Sequence, residues 1–151
     1  AHEKMSLTHE LRRAISNHEL FVVYQPILEL ATGRVTKAEA LVRWQHPQRG
    51  TISPATFIPL AEGSGLILEI GKLVFKESIT LINQWHQLTG QIIQISVNLS
   101  PVQFRYMDHC PWLPGLKQTG LPGHCINIEI TEGLLIPQGS LFCFLKTPFQ
   151  N

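Results

Sequence analysis

The chain has 151 residues, of which 44% are hydrophobic and 15% charged, and its net charge is +1. That is enough chain for one domain with a sizeable core, and the composition suits a soluble globular protein rather than a disordered one. Near-neutrality gives no reason to expect a nucleic-acid binder, which normally needs a concentrated basic face, and the basic residues are scattered, with Arg12-Arg13 the only adjacent pair.

In chain order, "SLTHELRRAISN" (6–17) predicts a short amphipathic helix, with Ser6 as cap and Leu7, Leu11 and Ile15 on one face. "ELFVVYQPIL" is a β-rich run in which Pro26 asks for an edge or terminal position. The turn "ATGR" joins it to "VTKAEALVRW" as an antiparallel hairpin. "HPQRGTISP" reads as a turn-rich loop, and Pro54 opens a helix in "PATFIPLAEGSG". From Leu66 to Trp85, the residues Ile70, Val74, Leu81 and Trp85 recur at helical spacing, which predicts a long buried helix. "QIIQISVNLS" and "CINIEITE" are strands, separated by an irregular segment. Strands alternating with helices after an opening hairpin predict an α/β fold with a largely parallel sheet.

Cys110, Cys125 and Cys143 lack CxxC spacing and fit free thiols in a reducing, cytoplasmic setting. No apolar run approaches the roughly 20 residues of a membrane span, and no secretory leader is expected. The seven histidines form no HExxH pattern or close pair and read mostly as surface residues.

Glu39 is the residue that needs explaining, because it interrupts an otherwise apolar strand. One reading is a surface strand whose outer face carries Lys37, Glu39 and Arg43. The other is a ligand site. Strand alternation sets Ala38, Ala40 and Val42 against Glu39, Leu41 and Arg43. In "IIQISVN" it sets Ile93, Ile95 and Val97 against Gln94, Ser96 and Asn98, and in "INIEI" it sets the isoleucines against Asn127 and Glu129. Each strand therefore offers one apolar face and aims oxygen donors from the other. Asn98 and Glu129 fall near the C-terminal ends of their strands, where α/β sheets bind ligands. Oxygen donors converging there suit Mg²⁺ or Mn²⁺. Half-exposed strands with polar outer faces would show the same alternation.

"YQPI", "AEALVRWQHPQRG", "FIPLAEGSGLI", "VNLSPVQF" and "IEITEGLLI" resemble, in order and spacing, the EAL domain, a family of bacterial phosphodiesterases that act on cyclic di-GMP. The resemblance runs from about Leu11 to Ile136. It implies a modified TIM barrel whose first strand is antiparallel to the rest. It also implies Glu39, Asn98 and Glu129 as metal ligands, Glu132 as anchor of a mobile loop, and Arg43 as a phosphate contact. Gln25 and Pro26 match the segment lining the dinucleotide site.

The sequence also departs from the family. Asp108 is the only aspartate, so the family's Asp-Asp motif is absent, and so are its later lysine, general-base glutamate and glutamine. A full eight-stranded barrel takes about 250 residues. The expectation is a truncated EAL-like domain over 1–136 with a non-family tail over 137–151. It would form roughly half a barrel, an open sheet covered by helices. The general base being absent, no catalytic residue is assigned. The leading function is a non-catalytic module for dimerisation, or for binding a ligand or another signalling domain, with residual, weak affinity for cyclic di-GMP. Occupancy of the metal site is not expected to be secure. The alternative is a metal-dependent phosphodiesterase yielding linear pGpG, active only when completed by a partner or second chain. The apolar tail residues Leu141, Phe142, Phe144 and Leu145 are expected to pack against a sheet.

Overall fold

A computed structural model describes residues 2–106 and 118–130, with side chains from residue 5 onward. Helix α1 (His2–Ser16) leads, followed by β1 (Leu20–Glu29), β2 (Arg34–His46) and a short β3 (Gly50–Ile52). Then come α2 (Pro54–Ser64), α3 (Ile67–Thr89), β4 (Gln94–Leu99), α4 (Pro101–Arg105) and β5 (Ile126–Ile130). The sheet order is β1-β2-β4-β5, with β3 pairing β2. β1 and β3 run antiparallel to β2, whereas β4 and β5 run parallel to their neighbours. The expected antiparallel first strand and open sheet are both present among the described residues. Among these residues β1 is an outer strand, a position that tolerates Pro26 and its missing N–H.

The hairpin turn closes on Gly33, at φ 66°, whose N–H donates to the Glu29 carbonyl at 2.8 Å. The "HPQRGTISP" segment differs from expectation. It holds β3, whose residues Gly50, Thr51 and Ile52 pair with His46, Gln45 and Trp44. Three residues are too few to show an alternation in the sequence. The first helix also differs, because it starts before Ser6. Ser6 lies inside it, donating its hydroxyl to Glu10 at 2.8 Å rather than capping.

The later boundaries follow local chemistry. Ser53 caps α2, accepting from the Ala55 N–H at 3.3 Å, and Gly65 ends it at φ 77°. The third helix runs on to Thr89, where Gly90 at φ 70° stops it. Its buried stripe is Ile67, Ile70, Val74, Phe75, Ser78 and Ile82, so Leu81 and Trp85 lie at its half-buried margin. This stripe packs with Ala38, Ala40, Ile95 and Val97 of the sheet into one core that also encloses Trp44 and Phe57. No described helix is long and apolar enough to cross a membrane.

One histidine departs from a surface reading. His46 is 7% exposed, and both ring nitrogens are engaged. Nδ1 accepts the Gln48 and Arg49 backbone N–H groups at 3.1 and 3.2 Å, and Nε2 meets Glu10 at 3.0 Å. Arg49 adds two bonds to the same carboxylate at 3.1 and 3.2 Å. Glu10 thereby pins α1 to the β2–β3 turn. The Ser6 hydroxyl, foremost, and Arg49 hold the Glu10 carboxyl below its ordinary value of 4.5. A depressed folded-state pKa contributes stability that is complete above the ordinary value and lost as pH falls through the lower one. Wild-type protein should therefore lose more thermal stability than Glu10→Gln as the pH is lowered from neutral through and below the ordinary carboxylate range. Calorimetry at stepped pH checks this, and parallel curves would contradict it.

Candidate functional site

Cross-strand register decides which side chains meet. Gln25 lies opposite Glu39, Glu39 beside Ser96, and Ser96 beside Asn127. Two positions further towards the C-terminal ends, Asn98 lies beside Glu129. In-register partners share a pleat face. All of these residues therefore stand on the face opposite Ala38, Ala40, Ile95 and Val97, which pack into the helix-covered core.

Hydrogen bonds join the strands into a polar band. The Asn98 Nδ2 donates to Glu39 Oε1 at 2.7 Å, linking β4 to β2. The Asn127 Nδ2 donates to Ser96 Oγ at 3.2 Å, linking β5 to β4, and lies 3.3 Å from Glu129 Oε1 on its own strand. Glu39 and Arg43 are half-buried, whereas Gln25, Asn98 and Glu129 are exposed. The structure thus brings Glu39, Asn98 and Glu129 to one face, with Gln25 next to Glu39. Pro26 lies opposite Ala38, on the other side of the pleat from Gln25. Glu132 falls outside the described residues, as do Asp108 and the apolar tail.

Arg43 is two positions beyond Leu41 on the Glu39 face. Its Nη1 donates to the Val42 carbonyl at 2.9 Å, and among the described residues it forms no ion pair. Among the described residues, no three His, Cys, Asp or Glu side chains cluster as a metal site. The gathered donors are instead two carboxylates and a carboxamide.

The rim beyond β4 is shaped by a capping box. Ser100 Oγ accepts the Val102 and Gln103 N–H groups at 3.1 and 3.4 Å, and Gln103 Oε1 accepts the Ser100 N–H at 3.0 Å. "LSPVQ" therefore ends β4 one residue after Asn98 and starts α4. Gly71 on α3 lets this turn sit close, since a methyl group there would overlap the Gln103 amide. A cavity of about 270 Å³ opens between this turn, α2, α3 and the overhanging end of β2. Its lining reaches Arg43 and Asn98 and includes Glu62. Sequence reasoning does not single out Glu62, although a carboxylate among the apolar residues of "FIPLAEGSGLI" is the kind of signal that marks Glu39.

An open sheet whose later strands run parallel behind an antiparallel first strand, with carboxylates and amides towards its C-terminal rim, defines an α/β domain built of strands and covering helices. The chain belongs to the EAL domain family, whose model matches residues 8–141. It is 37% identical to the bifunctional diguanylate cyclase/cyclic di-GMP phosphodiesterase MucR of Pseudomonas aeruginosa, over 87% of this chain and 19% of that protein. It is likewise 37% identical to the uncharacterized protein sll1895 of Synechocystis, over 89% of this chain and 19% of that one. The chain thus spans about a fifth of the length of these relatives. Among solved structures it is similar to the PaMucR phosphodiesterase in its c-di-GMP complex, with a TM-score of 0.81 and 35% identity, over 91% of this chain and 57% of that one.

The Asn98–Glu39 bond yields a direct test. Asn98→Asp replaces the donor with a second carboxylate facing the first, so it should cost on the order of 1 kcal/mol in denaturant titrations at neutral pH. Unchanged stability would mean that the two side chains do not meet.

Proposed function

We propose that this chain supplies the cation-binding and phosphate-binding part of a cyclic di-GMP site. The observation that carries this reading is the Asn98–Glu39 bond at 2.7 Å, beside the Asn98–Glu129 register pair, which gathers oxygen donors from β2, β4 and β5 on one face. Glu39, Asn98 and Glu129 would hold Mg²⁺ or Mn²⁺, since all-oxygen donors suit a hard divalent cation. When bound, such a cation supplies charge stabilisation and an activated water for phosphodiester hydrolysis. Arg43 would take a phosphate oxygen through the N–H groups that Val42 does not use. Gln25 would contact the dinucleotide beside Glu39, Pro26 would shape the same strand, and Glu132 would anchor a loop next to the site. The similarity to a phosphodiesterase in complex with c-di-GMP supports this ligand.

Binding without turnover is the activity we assign to the 151-residue chain alone. With one aspartate in its sequence it cannot supply an Asp-Asp pair. Hydrolysis to linear pGpG is the second reading, for an assembly in which another chain or domain completes the site. The similarity to phosphodiesterases favours keeping it. Equilibrium dialysis with cyclic di-GMP should show metal-enhanced retention that falls at least about tenfold in Arg43→Ala, with no pGpG by chromatography. Metal-dependent pGpG production abolished by Glu39→Gln would establish the second reading instead, and no retention would refute both.

We also propose a homodimer, in a cytoplasmic setting. The outer strand β1 and its turn expose Phe21, Ile27, Leu28 and Leu30 at 43, 46, 53 and 91%. Among the described residues the outer edge of β1 has no partner strand, and such an edge bearing these side chains favours pairing with a second copy. Light scattering should report a dimer at micromolar concentration that Leu28→Lys dissociates. A monomer throughout that range would sink this assignment.

A further inference from the structure

Gln25, Glu39, Ser96 and Asn127 form one cross-strand row of the polar face, and Asn98 and Glu129 stand in the next row towards the C-terminal ends of β4 and β5. Two members of the lower row, Ser96 and Asn127, have no part in the cation site proposed above. Ser96 is 6% exposed, so its hydroxyl is a fixed point on β4. The Asn127 Nδ2 gives one hydrogen to Ser96 Oγ at 3.2 Å and the other to Glu129 Oε1 at 3.3 Å. A carboxamide nitrogen carries two hydrogens, and both are engaged. In the same way the Asn98 Nδ2 occupies Glu39 Oε1 at 2.7 Å. Each carboxylate therefore has one oxygen taken by an amide. Among the described residues Glu39 Oε2, Asn98 Oδ1 and Glu129 Oε2 accept no hydrogen bond, which leaves one oxygen per strand.

We infer that Asn127, braced by Ser96, is a positioning residue for the cation, holding Glu129 by one oxygen and leaving the other for the metal. The inference rests on the cation reading above and adds to it a residue that touches neither metal nor nucleotide. Glu129 is exposed, and an exposed glutamate without a partner is free to change rotamer. Ordering that side chain would then oppose metal binding. A carboxylate already held by a hydrogen-bonded neighbour has been ordered beforehand, and losing such support typically weakens metal binding about tenfold to hundredfold. The number of free oxygens matters too. Mg²⁺ demands near-ideal octahedral geometry. A carboxylate with one free oxygen fills one vertex, whereas chelation through both oxygens spans an angle well below that between two vertices. Asn suits the position chemically, because it donates to two acceptors at once and adds no charge. An aliphatic residue would free Glu129 and remove the bond that ties it to β4.

The experiment titrates the 151-residue chain with Mn²⁺ alone and reads both free and bound metal by electron paramagnetic resonance, with no nucleotide present. Wild-type protein is compared with Asn127→Leu, Asn127→Ala, Ser96→Ala, the Asn127→Leu/Ser96→Ala pair and Glu129→Gln, with circular dichroism confirming that each is folded. Both Asn127 substitutions should weaken Mn²⁺ binding at least about tenfold and broaden the spectrum of the bound ion, while the metal-free melting temperature changes little. Ser96→Ala should weaken binding less, and should add nothing in the Asn127→Leu background, because Ser96 acts only through Asn127. Asn127 variants that bind within about twofold of wild type, or a Ser96→Ala effect that adds in full to that of Asn127→Leu, would overturn the positioning role and leave the cation reading standing. Failure of wild type to bind Mn²⁺, or binding that Glu129→Gln does not weaken, would overturn both.

Discussion

The arrangement depends on the register of β2, β4 and β5. Side chains alternate with period two, so a one-residue slip of β2 would carry Ala38 and Ala40 to the open face and turn Glu39 into the core. Burying an unpaired carboxylate against Ile70, Val74 and Phe75 would cost several kcal/mol. The apolar stripe of α3 therefore selects the register, and the register delivers Glu39, Asn98 and Glu129 to a common face. The packing that fixes the fold therefore also fixes which face these oxygen donors occupy. Asn98 strengthens it by bonding Glu39 across the strand boundary.

The ends of the strands matter as much as their faces. Elements that reach the rim begin or end at residues whose local chemistry fits a boundary, with Ser100 after β4, Ser53 before α2 and Gly65 after it. Because β4 stops at Leu99 while β2 continues to His46, the end of β2 overhangs and leaves room for the cavity. Gly71 and Gln103 set how closely α4 can approach α3 there. At the far end of β2, Glu10, His46 and Arg49 lock the β2–β3 turn to α1, which holds the overhang in place. The phosphate contact proposed for Arg43 would require such a fixed strand end, since small displacements of a charged partner forfeit much of its value.

Much of this is legible in the amino-acid order. The outer strand announces itself through Pro26 and the hairpin through "ATGR", because proline and glycine act through local backbone geometry. The faces of β2, β4 and β5 follow from alternation, and so does the grouping of Glu39 with Asn98 and Glu129. β3 is not legible, since three residues carry no periodicity and its pairing is imposed by β2. Ser6 looks like a cap because its neighbours satisfy the capping pattern, yet the helix extends through it and its hydroxyl turns to Glu10. His46 gives no sign of burial, because its partners come from α1 and from the turn that follows it. Glu62 can be read as an odd carboxylate in an apolar segment. That it shares a cavity with Arg43 is a tertiary fact.

The central claim is that one face of the sheet gathers oxygen donors from three strands around a divalent cation next to a cyclic dinucleotide. Crystals grown with Mn²⁺ and cyclic di-GMP, measured for anomalous scattering from manganese, test it most directly. The account predicts an anomalous peak in contact with Glu39, Asn98 and Glu129, with a ligand phosphate on Arg43. A manganese peak bound elsewhere, or dinucleotide density that does not touch this face, would contradict it.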